Sequence, residues 1–92
     1  MPRPCIRRRI RGRPYSHYFK PQGRRMIELE ETALSLDEFE AIRLIDLEEI
    51  PQEQAAQKMQ ISQPTLSRIL KNARKKLSEA IIHGKAIRID KR

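Results

Sequence analysis

Apolar residues recur at helical spacing along two long stretches of this chain and alternate along a short one near its end. In "SLDEFEAIRLIDLEE", residues 35–49, Leu36, Phe39, Ile42, Leu44, Ile45 and Leu47 form a broad apolar face. Asp37, Glu38, Glu40 and Asp46 are read as the solvated side of the same helix, and the acids near its start suit the helix dipole. Ser35 followed by Glu38 is the S-x-x-E capping box that opens it. Pro51 halts this helix and begins a second, "PQEQAAQKM", over 51–59. Ser62 caps a third, expected over 63–83, with Leu66, Ile69, Leu70, Ala73, Leu77 and Ala80 on its inner face and Gly84 as its stop. The closing "KAIRID" alternates as a strand does, and "MIEL" at 26–29 offers it a partner, so a small two-strand ribbon of about 26–30 with 85–90 is expected. Residues 1–25 hold four of the six prolines and two glycines, which predicts an extended or irregular arm before a single domain over 26–92.

Residues 52–70 concentrate the signal. A helix-turn-helix needs a short first helix, a tight turn and a second helix crossing it steeply. Ala56 is small enough for the crossing, Ala55, Met59, Ile61, Leu66 and Ile69 supply the apolar lock, and Ser62 caps the second helix where the chain leaves the turn. Two residues depart from the usual pattern. Gln60 stands where a glycine is common, at a cost of about 1 kcal/mol if the backbone keeps positive φ there. Pro51 stands where a Ser or Thr cap is usual, which also costs roughly 1 kcal/mol.

Charge sharpens this picture. The net charge is +8, but its distribution says more than the total: residues 1–25 carry nine basic residues and no acid, residues 26–60 two basic and ten acidic, and residues 61–92 nine basic and two acidic. Two basic segments flank an acidic one, which points to an acidic partner such as nucleic acid, with the acidic block facing away or neutralising one of the flanks. No run approaches the roughly 20 apolar residues of a membrane span, and no apolar run follows the basic start as in a signal peptide. One cysteine, Cys5, excludes an internal disulfide framework and fits a cytoplasmic setting.

The matching window "QEQAAQKMQISQPTLSRILKNARKKL", with the amphipathic helix before it, resembles region 4 of bacterial sigma factors. Over nearly its full length the chain is similar to an uncharacterised prokaryotic family of predicted DNA-binding proteins. The similarity rests on the Arg-rich start, "YFKPQG" at Tyr18–Gly23, the "LDEFEAIRLIDLE" helix and the terminal "GKAIRI". The resemblance implies a mainly α, three-helix domain of helix-turn-helix type carrying an extended basic N-terminal arm. It implies a role on double-stranded DNA as well, with a homodimer or higher homo-oligomer expected because one such unit covers little DNA.

On that reading the start of the third helix enters the major groove. Gln63, Thr65, Ser67 and Arg68 are the candidate base readers, since Gln suits adenine, the Thr methyl suits thymine and Arg suits guanine. Lys71, Arg74, Lys75, Lys76 and Gln52 are candidates for phosphate contact. In the arm, Arg7, Arg8, Arg9, Arg11 and Arg13 would add phosphate or minor-groove contacts, "RGRP" at 11–14 matching the core of an AT-hook. The expected arrangement has Arg7–Arg13 projecting while the chain from Tyr15 docks on the body.

Other readings are weaker. Cys5 and His17 are too few ligands for a structural zinc site without a second copy, so neither metal nor cofactor is expected. Tyr15, Tyr18 and Phe19 could stack on bases or anchor the arm to its own domain. Catalysis finds no constellation, and a non-enzyme is expected. The alternatives to a DNA-binding regulator are an RNA-binding protein without sequence readout and a module whose acidic helix docks RNA polymerase.

Overall fold

A computed structural model describes residues 10–91; Cys5, Arg7, Arg8 and Arg9 lie outside the described residues. The elements run in the order β1 (Tyr18–Phe19), a 3-10 turn (Met26–Glu28), β2 (Glu31–Leu34), α1 (Leu36–Ile42) continuing into a π-helical segment (Arg43–Leu47), α2 (Gln52–Met59), α3 (Gln63–His83) and β3 (Ala86–Ile89). The molecule is thus mainly helical, three helices with a small three-stranded sheet.

The sheet departs from the expected ribbon. Its order is β1-β3-β2, with β2 parallel to β3, Glu31 opposite Ala86 and Leu34 opposite Ile89, and β1 antiparallel to β3. Residues 26–28 form a 3-10 turn instead of a strand, and Ile27 is 83% exposed. The Glu28 carboxylate reaches back to Arg24 and Arg25, four and three residues earlier, spacings that suit a coiled backbone and not an extended one. The strand begins after it, and runs into Ser35, the N-cap of α1.

The capping box at Ser35 forms as its spacing predicts, with Glu38 N donating to Ser35 Oγ and Ser35 N donating to Glu38 Oε1. The helix then widens. Glu48 N donates to Arg43 O, five residues back, and Glu49 at φ 59° closes the segment. A π turn inserts one extra residue into the helical repeat, so side chains beyond it rotate away from the stripe that the period of 3.6 assigns them. Leu44 remains in the core, but Leu47 is turned out and 75% exposed, contrary to its expected place on the apolar face.

Two buried clusters hold the fold together. Ala41, Leu44, Ala55, Ala56, Met59, Leu66 and Leu70 join α1, α2 and α3; Leu34, Ala73 and Ile89 join the sheet to α3. The small Ala55, Ala56 and Ala73 bring backbones close, which is how short helices of a chain this size reach a dense core.

Glu38 and Glu40 correct the expectation that the acids of α1 are solvated: both are buried, Glu40 to 1% exposure. A buried carboxylate is stable only if its lone pairs are filled. Arg43 forks onto both oxygens of Glu40 at 2.9 and 2.8 Å, and the backbone N–H groups of Arg11 and Gly12 donate to them at 3.1 and 3.0 Å. Burial is the largest single influence on this group and opposes ionisation. The Arg43 hydrogen bonds, the two N–H donors and the Arg43 charge together outweigh it, so the Glu40 pKa lies below the ordinary carboxylate value.

That contact also corrects the arm. Docking starts by Arg11, not at Tyr15, and the backbone of "RGRP" is spent on Glu40. Gly12 is required there by space: a Cβ on it would come within 2.5 Å of Arg43 Cδ and 2.9 Å of Glu40 Oε1. His17 continues the docking, accepting Ile89 N–H at its carbonyl and placing Nδ1 3.0 Å from Ile89 O.

Candidate nucleic-acid interface

Three residues, 60–62, join α2 to α3. Gln60 takes the left-handed conformation, φ 60° and ψ 45°, and its N–H closes back on Ala56 O and Gln57 O. Ile61 N donates to Ala56 O at 3.0 Å, and its side chain packs on the first core cluster. The chain then extends at Ser62, whose Oγ accepts from Thr65 N at 3.2 Å to cap α3, with Pro64 in the first turn where no N–H is needed. Pro51 makes no side-chain cap for α2. The start of α2 lies against the second turn of α3, Gln52 Oε1 accepting from Ser67 Oγ at 3.5 Å.

The expected readers do not all share a face. Gln63, Ser67 and Arg68 are all exposed on α3: Arg68 lies opposite buried Leu66 and Leu70, while Gln63 and Ser67 border that buried stripe on the side of α2. Thr65 is half-buried, and its hydroxyl accepts from Ser62 Oγ at 2.8 Å. Its hydroxyl and its N–H both engage Ser62 in the cap of α3.

The expected phosphate set divides more sharply. Lys76 is turned inward: its ammonium donates to Ala33 O and to Glu38 Oε1, both at 2.8 Å, tying α3 to β2 and α1. Arg74 pairs with Asp46 at 2.6 Å across to the π-helical segment. The acidic middle block thus neutralises part of the basic last third, since Glu31 also holds Arg88 at 3.0 Å and Glu30 faces Lys85 at 3.7 Å. Arg68, Lys71 and Lys75 remain without an acidic partner among the described residues. Their spacing of three and four places them in one exposed stripe down α3.

In the arm, the exposed Arg11 side chain borders a polar cleft with Gln54, Gln57 and Lys58, while Arg13 lies beside a separate apolar groove. Tyr15 is fully exposed, and Tyr18 and Phe19 are about half exposed, held in β1 through their backbone. Among the described residues no group of three or more His, Cys, Asp or Glu is placed to hold a metal ion, and no helix is long and apolar enough to cross a membrane.

Glu38 and Glu40, like Leu47, are residues that periodicity alone assigned wrongly. For Glu40 a signal was available: Leu36 and Leu44 flank it at four residues on either side, which places it on their face.

A small basic three-helix domain carrying a parallel strand pair is the class of protein that these elements define. Within that class the chain belongs to the family described as "Protein of unknown function DUF134", which matches residues 1–91. It is similar to a UPF0251 protein of Aeromonas salmonicida, 53% identical over 87 residues that cover 95% of this chain and 85% of the relative. A UPF0251 protein of Caldanaerobacter subterraneus is 48% identical over 90 residues, covering 98% and 76%. One of Moorella thermoacetica is 49% identical over 90 residues, covering 98% and 60%. No solved structure matches.

Proposed function

We propose that this protein is a sequence-specific DNA-binding transcriptional regulator in which α2 and α3 act as a helix-turn-helix and the first turns of α3 enter the major groove. The observation that carries the reading is selective neutralisation. Acidic residues occupy Arg74, Lys76, Lys85 and Arg88, yet leave Arg68, Lys71 and Lys75 in a stripe beside the exposed amides and hydroxyls of Gln63 and Ser67. Unpaired cations beside hydrogen-bonding side chains on one helix face suit a duplex, with phosphates along the edge and base edges at the centre.

Gln63, Ser67 and Arg68 are the base readers on this reading, and Lys71, Lys75 and Gln52 the phosphate contacts. A homodimer or higher homo-oligomer doubles the contacts at repeated half-sites. The acids of α1 give little support to docking on RNA polymerase, because Glu38 and Glu40 are buried in internal pairs.

Selecting bound sequences from random double-stranded DNA with the purified protein tests the reading. A defined, repeated half-site is expected, with Arg68→Ala and Gln63→Ala each costing about 1–3 kcal/mol against the selected sequence and relaxing one base position. Equal affinity for all sequences, unchanged in both variants, would sink it.

A further inference from the structure

An apolar groove of about 550 Å³ opens between the docked arm and the helical body, on the side of α3 that faces the sheet. Its floor is Leu34, Phe39, Leu77 and Ile89, continuous with the second core cluster. Its lips are Tyr15, Phe19 and Leu47, three exposed large apolar side chains. Exposed apolar residues scattered singly need no explanation, but three that converge on one concavity leading into the core do. The groove exists because of two departures already described. The arm docks early, through Glu40, and the π turn swings Leu47 outward to form the opposite wall.

The polar groups at this groove are few. Ser16 turns its hydroxyl to Tyr18 O, and Arg43 is held by Glu40 and Glu48. Arg13 has no acidic partner among the described residues and stands at the lip. A concave apolar site of a few hundred Å³ that has, among the described residues, one cation without an acidic partner at its mouth is complementary to a small ligand with an apolar body and a single negative charge.

We infer that this groove is a binding site for an amphipathic monocarboxylate, its chain or ring seated on Phe39 and Leu77 and its carboxylate paired with Arg13. The occupant is a small molecule because the volume falls within the range of small-ligand sites, whereas a partner surface would have to present a narrow apolar ridge to fill it. The site is separate from the exposed stripe on α3 and stands whether or not the protein binds DNA.

Titration of the full chain with decanoate, below its micellar concentration and followed by calorimetry, tests the proposal. Decyltrimethylammonium, with the same chain and the opposite charge, serves as the control. One saturable decanoate site per chain is expected, with decyltrimethylammonium binding more weakly. Arg13→Ala should weaken decanoate about fivefold, the scale of a solvent-accessible ion pair. Leu47→Glu, at an exposed position that folding does not need, should weaken it further by placing a carboxylate at the mouth. Absence of a saturable site overturns the proposal. Equal binding of both amphiphiles with no effect of Arg13→Ala would show indiscriminate apolar adsorption and overturn it too. A wild-type dimer that Leu47→Glu converts to monomer, and that decanoate leaves intact, would assign the groove to a second copy of the chain instead.

Discussion

Lys76 and Glu38, 38 residues apart in the chain, meet at 2.8 Å, and the oxygen that accepts the ammonium is the one that also accepts Ser35 N–H at 2.9 Å to complete the cap of α1. One carboxylate thus terminates a helix and ties it to another, and Lys76 adds a bond to Ala33 O at the end of β2. Lys75, one residue earlier, is exposed and meets no acid among the described residues. Neighbouring lysines in a run of three basic residues therefore have different duties.

Substitution separates them. Lys76→Met keeps the aliphatic stem but removes the charge, leaving Glu38 with less compensation; a loss of about 1–2 kcal/mol in urea unfolding is expected. If the proposed role on DNA holds, its effect on the salt dependence of binding should be negligible. Lys75→Ala should leave stability within about 0.5 kcal/mol. On DNA it should make the slope of log affinity against log salt shallower by about 0.9 for the phosphate given up. The reverse assignment of effects would contradict the placement of both side chains.

Glu40 joins the arm to the body, and its protonation state sets how firmly. Its pKa lies below the ordinary value in the folded protein because the Arg43 fork and two backbone donors outweigh the opposing influence of burial. A depressed folded pKa contributes stability that is present above the unfolded pKa and is lost as the pH falls through the folded one. The wild type should therefore lose stability as the pH drops below roughly 4.3, and Glu40→Gln should show a smaller loss over the same interval. At neutral pH Glu40→Ala should cost about 2–3 kcal/mol, below the range for a fully enclosed pair because Glu48 still faces Arg43. Amide exchange at Arg11 and Gly12 is the local readout, and both should exchange faster in either variant.

Gly12 makes a sharper demand. Alanine there has its Cβ directed at Arg43 and Glu40, and Arg43 cannot yield freely because Glu40 and Glu48 hold its guanidinium. Gly12→Ala is expected to cost about 1–3 kcal/mol, the usual penalty for overpacking, or to release residues before His17 from the body. Thermal unfolding reads the first outcome, and amide exchange at Gly12 and its neighbours reads the second. If glycine served only for close approach to a DNA minor groove, neither would change in the free protein.

What was legible in the sequence is what depends on near neighbours. The cap of α1 at Ser35, the span of α3 from Gln63 to His83 and its stop at Gly84, φ 67°, all follow from residues within a turn or two. The left-handed Gln60 was readable from its place in the turn, against its own residue type. The expectations that failed depend on partners far away in the chain. The strand at Glu31–Leu34 is selected by pairing with Ala86–Ile89, and local alternation cannot report a parallel partner more than fifty residues distant. Lys76 reads as a surface cation until Glu38 is beside it. Leu47 reads as core until a π turn rotates it outward. For the exposed stripe on α3, sequence pattern gave the candidates, and the ion pairs then divided them.

Gln60 carries the last prediction. At φ 60° and ψ 45° an L-residue brings its Cβ close to the following carbonyl, at a cost of about 1 kcal/mol relative to glycine. The side chain is exposed and makes no hydrogen bond among those described, so glycine would lose little contact. Glycine also gives the unfolded chain more freedom, which returns part of the gain. Gln60→Gly should therefore raise stability by about 0.5 kcal/mol, seen as a higher urea midpoint at unchanged slope. Gln60→Val should lower it, because a β-branched residue tolerates positive φ poorly. Both exposed substitutions leave Gln63, Ser67 and Arg68 in place, so the glycine variant should bind a selected DNA site with wild-type affinity. Reduced stability in Gln60→Gly would mean that the glutamine side chain holds the turn, and the strain assigned to its backbone would then be misplaced.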